Sequence, residues 1–584
     1  MNKNARQTIH SPSGNLITIS GLWALLLIWS AFSFAQEKIA PPPSQITLPS
    51  DSTRVELREK NKVQVKEPQL DLPEVLILGQ DRAKRELEDT KTLIEQSPAV
   101  LKPSSPYEPV PIWFQHDEFK PEVDRGIKDL TQINWLSLQG GGFSTFLMEG
   151  GRWQRFSVGD YRVNGWYQRS NGQFSNNKWS QGGFSGKLKY ELAPQVSGIV
   201  YGNYDLYRRG LQTTAFLKKA KRQAGKGGFG AELQYDINKL SDGRVGFLIN
   251  SVNVSTDTLA KRVDESDDFS YKLYFTYSAL YKKIQFSGNG RFVHDSFQTS
   301  QDSVALKSSL GEIGVEALAS LSQTLSSAIG IYFQSSQADS FVTKNRFSPY
   351  GKINYMPNDR FGITFQGNTG YQLHTFSEWW SENPYIAHRI PQQSQETRFA
   401  LRIDSDFQLL PTLKLRAGIA RSWIDRMFYW QAQPDTRLIQ LEVLQNPELT
   451  EMQIGFIADL SSKTRLQAFF ISYSDKIDTT TILTKLNRIP YRPDYRLPIR
   501  ASIQLLKDMS ITLQADINGP RRSKYLRDNR LPAFALFNVA LNKDFGAHFS
   551  GLFSVSNLLD SDYVIWEDYR EMGIHLLAGL RARF

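Results

Sequence analysis

From about Ile133 to Phe584 the sequence keeps one texture. Segments of roughly 10–16 residues alternate apolar and polar positions and are broken by clusters of Gly, Asn, Asp, Pro and Ser. Successive side chains of a strand point to opposite faces, so each segment has one greasy side and one polar side. In RFALRIDSDFQLL, Phe399, Leu401, Ile403, Phe407 and Leu409 share a face, and Arg402, Asp404, Asp406 and Gln408 share the other. After Leu410-Pro411-Thr412 the pattern resumes, with Leu413, Leu415, Ala417 and Ile419 against Lys414, Arg416 and Gly418. The chain closes on GIHLLAGLRARF. There Ile574, Leu576, Ala578, Leu580, Ala582 and Phe584 face one way, while Arg581 and Arg583 face the other.

About 450 residues of such segments, with hardly a helix between them, exceed the usual size of a soluble sandwich. A closed barrel with its apolar face in lipid and its polar face on a lumen accommodates them. At ~20 residues per strand and turn, the expectation is an all-β, transmembrane antiparallel barrel of about 22 strands. Ser461-Ser462-Lys463 and Pro357-Asn358-Asp359 read as short turns, and the longer stretch 375–395 as an outer loop.

The N-terminus supports export. Lys3 and Arg6 precede an uncharged run, LITISGLWALLLIWSAFSFA, that ends on the small-residue site Ser33-Phe34-Ala35. This is a signal-peptide pattern cleaved near Ala35, with a membrane anchor as the competing reading. Residues 36–75 form a Pro-bearing periplasmic tether. Residues 76–130 hold an apolar run, one short helix over 82–96 and a Pro-rich stretch, and are expected to act as a reduced plug or stopper in the lumen. Residues 131–584 are the barrel. The expected location is the outer membrane of a Gram-negative-type bacterium, with outer-membrane lipid, lipopolysaccharide and an unknown solute as partners.

With no cysteine in the chain, disulfides, thiolate metal sites and a cysteine nucleophile are excluded. The net charge of +10 is spread among interspersed acids and bases, which argues against nucleic acid. The seven histidines show no metal-ligand spacing, and no nucleophile motif is present. No cofactor and no enzymatic activity are expected. GGG at 140–142 lacks the Lys-Ser/Thr of a phosphate loop and reads as a bend or close approach in a barrel wall. The aromatic runs EWWSENPYI and MFYWQ offer Trp379, Trp380, Tyr385, Phe428, Tyr429 and Trp430. These six could form a loop-borne ligand platform, an interfacial girdle or loop packing.

The last part of the chain resembles the TonB-dependent outer-membrane receptors. In residues 446–477, Asn446, Pro447, Leu449, Glu451, Gly455, Phe470, Asp475 and Ile477 match that family's late-barrel pattern. Val555, Asn557, Leu558, Asp560 and Tyr563 match its V-x-N-L-x-D-x-x-Y element, and Gly573, Gly579, Leu580 and Phe584 its final strand. The family's Gly-Arg pair before that strand is Gly573-Ile574 here. The resemblance implies a terminal aromatic, Phe584, read by the barrel-assembly machinery. It also implies a coupling box for TonB at Leu72, Pro73, Glu74, Val75, Leu76 and Ile77, which is otherwise a plain apolar patch. The family's plug landmarks find no equivalent between Ile77 and Ile133. The function implied is solute binding or uptake through a polar lumen. A non-transporting structural, adhesin or complex-forming barrel is the alternative.

Overall fold

The structure, a computed structural model, describes residues 132–584. Within that span, 174–177, 212–219, 239–240, 258–261, 282–283, 301–303, 339–340, 392–393, 434–437, 478–487, 523–529 and 568–570 are not described. The expected signal peptide, tether, coupling box, helix over 82–96 and stopper lie outside the described residues.

The alternating segments become strands in chain order. They are β1 (Gln132–Gly141), β2 (Thr145–Phe156), β3 (Gly159–Ser170), β4 (Trp179–Ala193), β5 (Val196–Gly210), β6 (Lys221–Asn238), β7 (Ser241–Asp257) and β8 (Arg262–Tyr281). There follow β9 (Ile284–Thr299), β10 (Leu306–Ser320), β11 (Leu325–Ala338), β12 (Phe341–Asn358), β13 (Phe361–Gln372), β14 (Gln395–Leu410) and β15 (Leu413–Ala432). Strand β16 comes in two segments, Ile439–Gln445 and Glu448–Ser461, both paired with β15. Between them Asn446 takes a left-handed φ of 52° ahead of Pro447, which bends the strand without ending it. The wall is completed by β17 (Thr464–Lys476), β18 (Tyr495–Leu506), β19 (Met509–Asn518), β20 (Phe534–Phe545), β21 (Phe549–Ser556) and β22 (His575–Arg583). The barrel therefore has 22 strands, as the segment length predicts.

Every neighbour in the wall is antiparallel, and β22 pairs with β1 from Trp135↔Arg583 to Gly141↔Leu577. The seam extends to the last residue: Asn134 N donates to the Phe584 carbonyl at 2.8 Å, and Phe584 N returns to the Asn134 carbonyl at 3.0 Å. Closure is obligatory in lipid, where an unpaired edge would leave backbone groups unsatisfied. The seam also explains two glycines. A Cβ on Gly579 would meet the Leu138 carbonyl oxygen at 2.2 Å, and one on Gly141 the Leu576 carbonyl oxygen at 1.8 Å. The GGG run thus ends β1 and enters the turn to β2.

Alternation places the two faces as the sequence requires. On β8 the outward residues Phe269, Leu273, Phe275, Tyr277 and Tyr281 are exposed. Inward, Ser266, Asp268, Ser270 and Tyr274 are buried. On the final strand Leu576, Leu580 and Phe584 are exposed, whereas His575, Leu577 and Arg581 are buried. A continuous outward belt of large apolar side chains is the surface of a membrane barrel, where it meets lipid. The lumen face is held by polar contacts along and between strands. Arg402 donates to Asp404 of the same strand at 2.6 Å, Arg416 to Asp406 of the neighbouring strand at 2.9 Å and Gln453 to Asp404 at 3.2 Å.

The connections at the end that carries both Gln132 and Phe584 are all short, four residues at most. Pro357-Asn358-Asp359 is one of them: Asn358 Oδ1 accepts from the Arg360 and Phe361 amides at 2.9 Å, which makes the turn. Ser461-Ser462-Lys463 is another, with Ser461 Oγ accepting from Lys463 N at 3.1 Å. The long connections fall at the opposite end. Short turns face the periplasm in such barrels and long loops face outward, which sets the orientation.

The seam yields a test. Valine at Gly579 puts a branched side chain into backbone, an overpacking that costs about 1–3 kcal/mol or more. Gly579→Val is expected to lower the heat-modifiable barrel recovered from the outer membrane several-fold. Gly288→Ala, where a Cβ meets nothing within 4 Å, should leave it unchanged. Equal recovery of the two variants would contradict this account of the seam.

Candidate functional site: an aromatic lid across the outer mouth

In the connection between β13 and β14, residues 373–391 turn inward. Its start is set by a helix, α1 (Phe376–Glu382), with Thr375 as N-cap. Thr375 Oγ1 accepts from Glu378 N at 3.3 Å, and Glu378 Oε2 accepts from Thr375 N at 3.3 Å. This reciprocal capping box satisfies two backbone donors and fixes the helix. The sequence reads the stretch as a polar outer loop. The structure keeps it at the outer end but buries it, because its aromatic residues find apolar partners on the lumen face of the wall.

One buried cluster joins lid and wall. From the lid come Phe376, Trp379, Trp380, Tyr385, Ile386, Ala387 and Ile390. On one side they meet Ala224, Val252, Val254 and Phe297 of β6, β7 and β9. On the other they meet Phe428, Trp430, Ala432, Ile439 and Leu441 of β15 and β16. Strands β6 and β16 are ten apart in a ring of 22, nearly opposite one another. The lid therefore bridges the mouth. Its centre is a set of edge-to-face rings: Trp379 lies 5.7 Å from Phe428 and 5.6 Å from Trp430, and Tyr207 lies 5.8 Å from Trp380. Phe297 and Phe376 sit 4.7 Å apart. Trp430 reaches Trp566, and Trp566 reaches Tyr491, so two further outer loops join the same layer. Such ring pairs add about 0.5–1.5 kcal/mol each beyond their area.

Polar contacts hold the lid at both margins. Toward β16 the anchor is backbone: Ile386 and Ile439 form a parallel bridge, with Ala387 N donating to the Ile439 carbonyl at 2.7 Å and Ile439 N to the Tyr385 carbonyl at 3.1 Å. Toward β6 the anchor is Arg222, which donates to the Pro384 carbonyl at 3.2 Å and to the Ile386 carbonyl. Arg222 also lies 5.1 Å from the centre of the Trp380 ring. Asp268 and Asp295, inward on β8 and β9, are buried beside Ser377 and Phe376 at the start of the helix.

His388 is clamped by three strands. Its Nε2 is 3.3 Å from Arg222 and 2.9 Å from Thr256 Oγ1, and its Nδ1 is 2.9 Å from Ser266 Oγ. Arginine only donates, so Nε2 is the acceptor and Nδ1 carries the proton toward Ser266. Burial, reinforced by the Arg222 charge, pushes His388 from an ordinary 6.5 down to about 2.

Of the six aromatic candidates, the structure brings Trp379, Trp380, Tyr385, Phe428 and Trp430 into this one cluster. Tyr429 points to a neighbouring cluster with Ile424 and Leu449. Sequence reasoning did not single out Arg222, His388, Phe297 or Trp566. Their signal is register, since only the pairing of strands far apart in sequence brings them together. Among the described residues no three His, Asp or Glu side chains gather as a metal site.

The late-barrel motif residues also acquire reasons. Asn557, at φ 48°, donates to the Ser561 and Met572 carbonyls at 2.9 and 3.1 Å and so closes the last outer loop. Asp560 Oδ1 accepts from Ile574 N at 2.8 Å and starts the final strand. Tyr563 packs on Phe534 at 4.9 Å. Asp475 pairs with the buried Arg492 at 2.7 Å.

No protein-family model and no curated protein sequence matches the chain. Solved structures do. The closed form of the ferric-catecholate import receptor Fiu from K12 E. coli is 11% identical with a TM-score of 0.60, over 78% of this chain and 82% of that one. The FrpB iron transporter of Neisseria meningitidis, F5-1 variant, is 9% identical with a TM-score of 0.66, over 78% and 83%. The copper transporter OprC is 10% identical with a TM-score of 0.62, over 78% and 81%. At these identities the likeness is one of fold. The chain shares with these receptors and transporters the fold of a closed 22-strand antiparallel barrel.

His388 makes the lid sensitive to acid. The undocked histidine takes up a proton below about pH 6.5 and the docked one does not, so docking is unaffected above that value and weakens as pH falls beneath it. At pH 5 the loss is about 2 kcal/mol. Tryptophan emission is expected to shift to longer wavelength between pH 7 and 5. His388→Gln should flatten that shift, and an identical response in the variant would refute the assignment.

Proposed function

We propose that the chain is an outer-membrane receptor that captures a solute at the outer mouth and admits it to the lumen when the lid 373–391 moves. The single observation that carries this is the lid, a buried aromatic layer spanning walls ten strands apart at the end that bears the long loops. A barrel with only a structural or adhesive role has no need of a closed mouth over a polar lumen. The neighbours' names speak of ferric catecholates, iron and copper. A chelated metal is accordingly the solute class put forward.

The remaining parts of the reading follow the N-terminal sequence pattern and the resemblance. Residues 1–35 direct export, and 36–75 are a tether. Leu72 to Ile77 is the segment through which TonB drives lid and stopper. Residues 76–130 are the stopper, needed because a lumen of this width leaks unless filled. Phe584, outward and 70% exposed at the rim of short turns, is put forward as the residue read by the assembly machinery.

Cells expressing the chain with and without residues 72–77 are the test. Radio-iron or radio-copper, presented as chelates, should accumulate with the intact chain and fall to background without the segment, while the barrel stays heat-modifiable in the outer membrane. Equal accumulation would reject coupling. Background accumulation with the intact chain would reject the solute class.

A further inference from the structure

Beneath the lid margin, Arg209 stands alone. It lies on the lumen face of β5, directly across from Arg222 of β6 in the strand register. Two like charges placed opposite each other on adjacent strands repel. Arg222 is occupied by the lid carbonyls and by neutral His388. Arg209 is 2% exposed, and among the described residues none of its Nε, Nη1 and Nη2 atoms has a hydrogen-bond partner. No carboxylate among the described residues pairs with it. Its neighbours are rings: Tyr385 of the lid at 5.0 Å and Tyr207 of β5 at 5.7 Å. Ring contacts stabilise the cation but use none of its N–H donors. The nearest acid along the lumen face of β5, Asp205, is matched by Lys226, its partner across the strands.

A buried guanidinium with its whole fork of donors unused is unfavourable by itself and favourable once a two-oxygen anion enters, because the fork matches a carboxylate or phosphate. We propose that Arg209 anchors an oxyanion subsite at the outer mouth. The subsite takes one carboxylate or phosphate group of an anionic solute, with Tyr207 and Tyr385 as walls and Arg222 as the flanking cation. Tyr385 belongs to the lid, so occupancy of the subsite bears directly on lid position. The inference deepens the receptor reading by naming the chemistry of the solute's recognised group.

The test uses purified full-length barrel in detergent, titrated with inorganic phosphate and with citrate at constant ionic strength, and sodium chloride as control. Melting temperature and tryptophan emission are read together. The wild type should show a saturable rise in melting temperature with one or both probes and none with chloride. A response to phosphate alone assigns a phosphoryl group, and a response to citrate alone assigns a carboxylate. Arg209→Met should weaken apparent affinity at least tenfold, and Arg209→Lys should retain part of it. Ligand-free, Arg209→Met should melt at or above the wild-type temperature, since an unpaired buried charge has been removed.

Three results would overturn the proposal: no wild-type response to either probe, an Arg209→Met titration like the wild type, or a ligand-free Arg209→Met that melts several degrees lower. The last would make Arg209 a structural group. The titration needs neither coupling nor transport, so its failure and the failure of the uptake experiment are separable.

Discussion

Everything in this molecule depends on the hydrocarbon having no hydrogen bonds to offer. Each backbone group at membrane depth must find a partner in the wall, so the wall must close. The seam between β1 and β22 is therefore the condition on which the other pairings rest. It forces two glycines where the strands approach too closely for a side chain. It also brings the start of β1 and the last residue to the same rim. The alternation of every strand, apolar outward and polar inward, follows from the same closure.

A wall of this kind creates a second problem at its centre. A polar lumen bounded by 22 strands is wide, and its outer end would be open water without something across it. The lid solves this with materials familiar from a soluble core. Aromatic rings from opposite walls meet those of an inward loop, and the polar margin is stitched by one backbone bridge and one arginine. The arginine is placed by strand register, the ring layer by two aromatic runs separated in sequence, and the helix start by Thr375 and Glu378. The lid is thus a product of the barrel's register as much as of its own residues.

The barrel was legible in the sequence because a period of two, sustained over hundreds of residues, suits hardly any fold but a large closed sheet. Strand number followed from length, and turns such as Pro357-Asn358-Asp359 from side chains that make their own hydrogen bonds. The lid was legible only as composition. EWWSENPYI shows that aromatic residues gather there, but burial depends on Val252, Val254 and Phe297, which lie more than 75 residues earlier. His388 and Arg222 are 166 residues apart, and no local pattern links them. Asn446 and Pro447 were visible only as part of the late-barrel pattern, and the bend there, one strand in two segments, needed the pairing of both segments to β15.

The two margins of the lid have a mechanical meaning. Residues 384–387 are held from β16 by a β-bridge and from β6 by an arginine clamp, so this one stretch ties together two strands ten apart in the ring. Both anchors act on the same short stretch, so any change in the separation of Arg222 and Ile439 loads it directly. The outline of the mouth and the position of the lid are then one variable. Spreading of the rim would at the same moment strain both anchors.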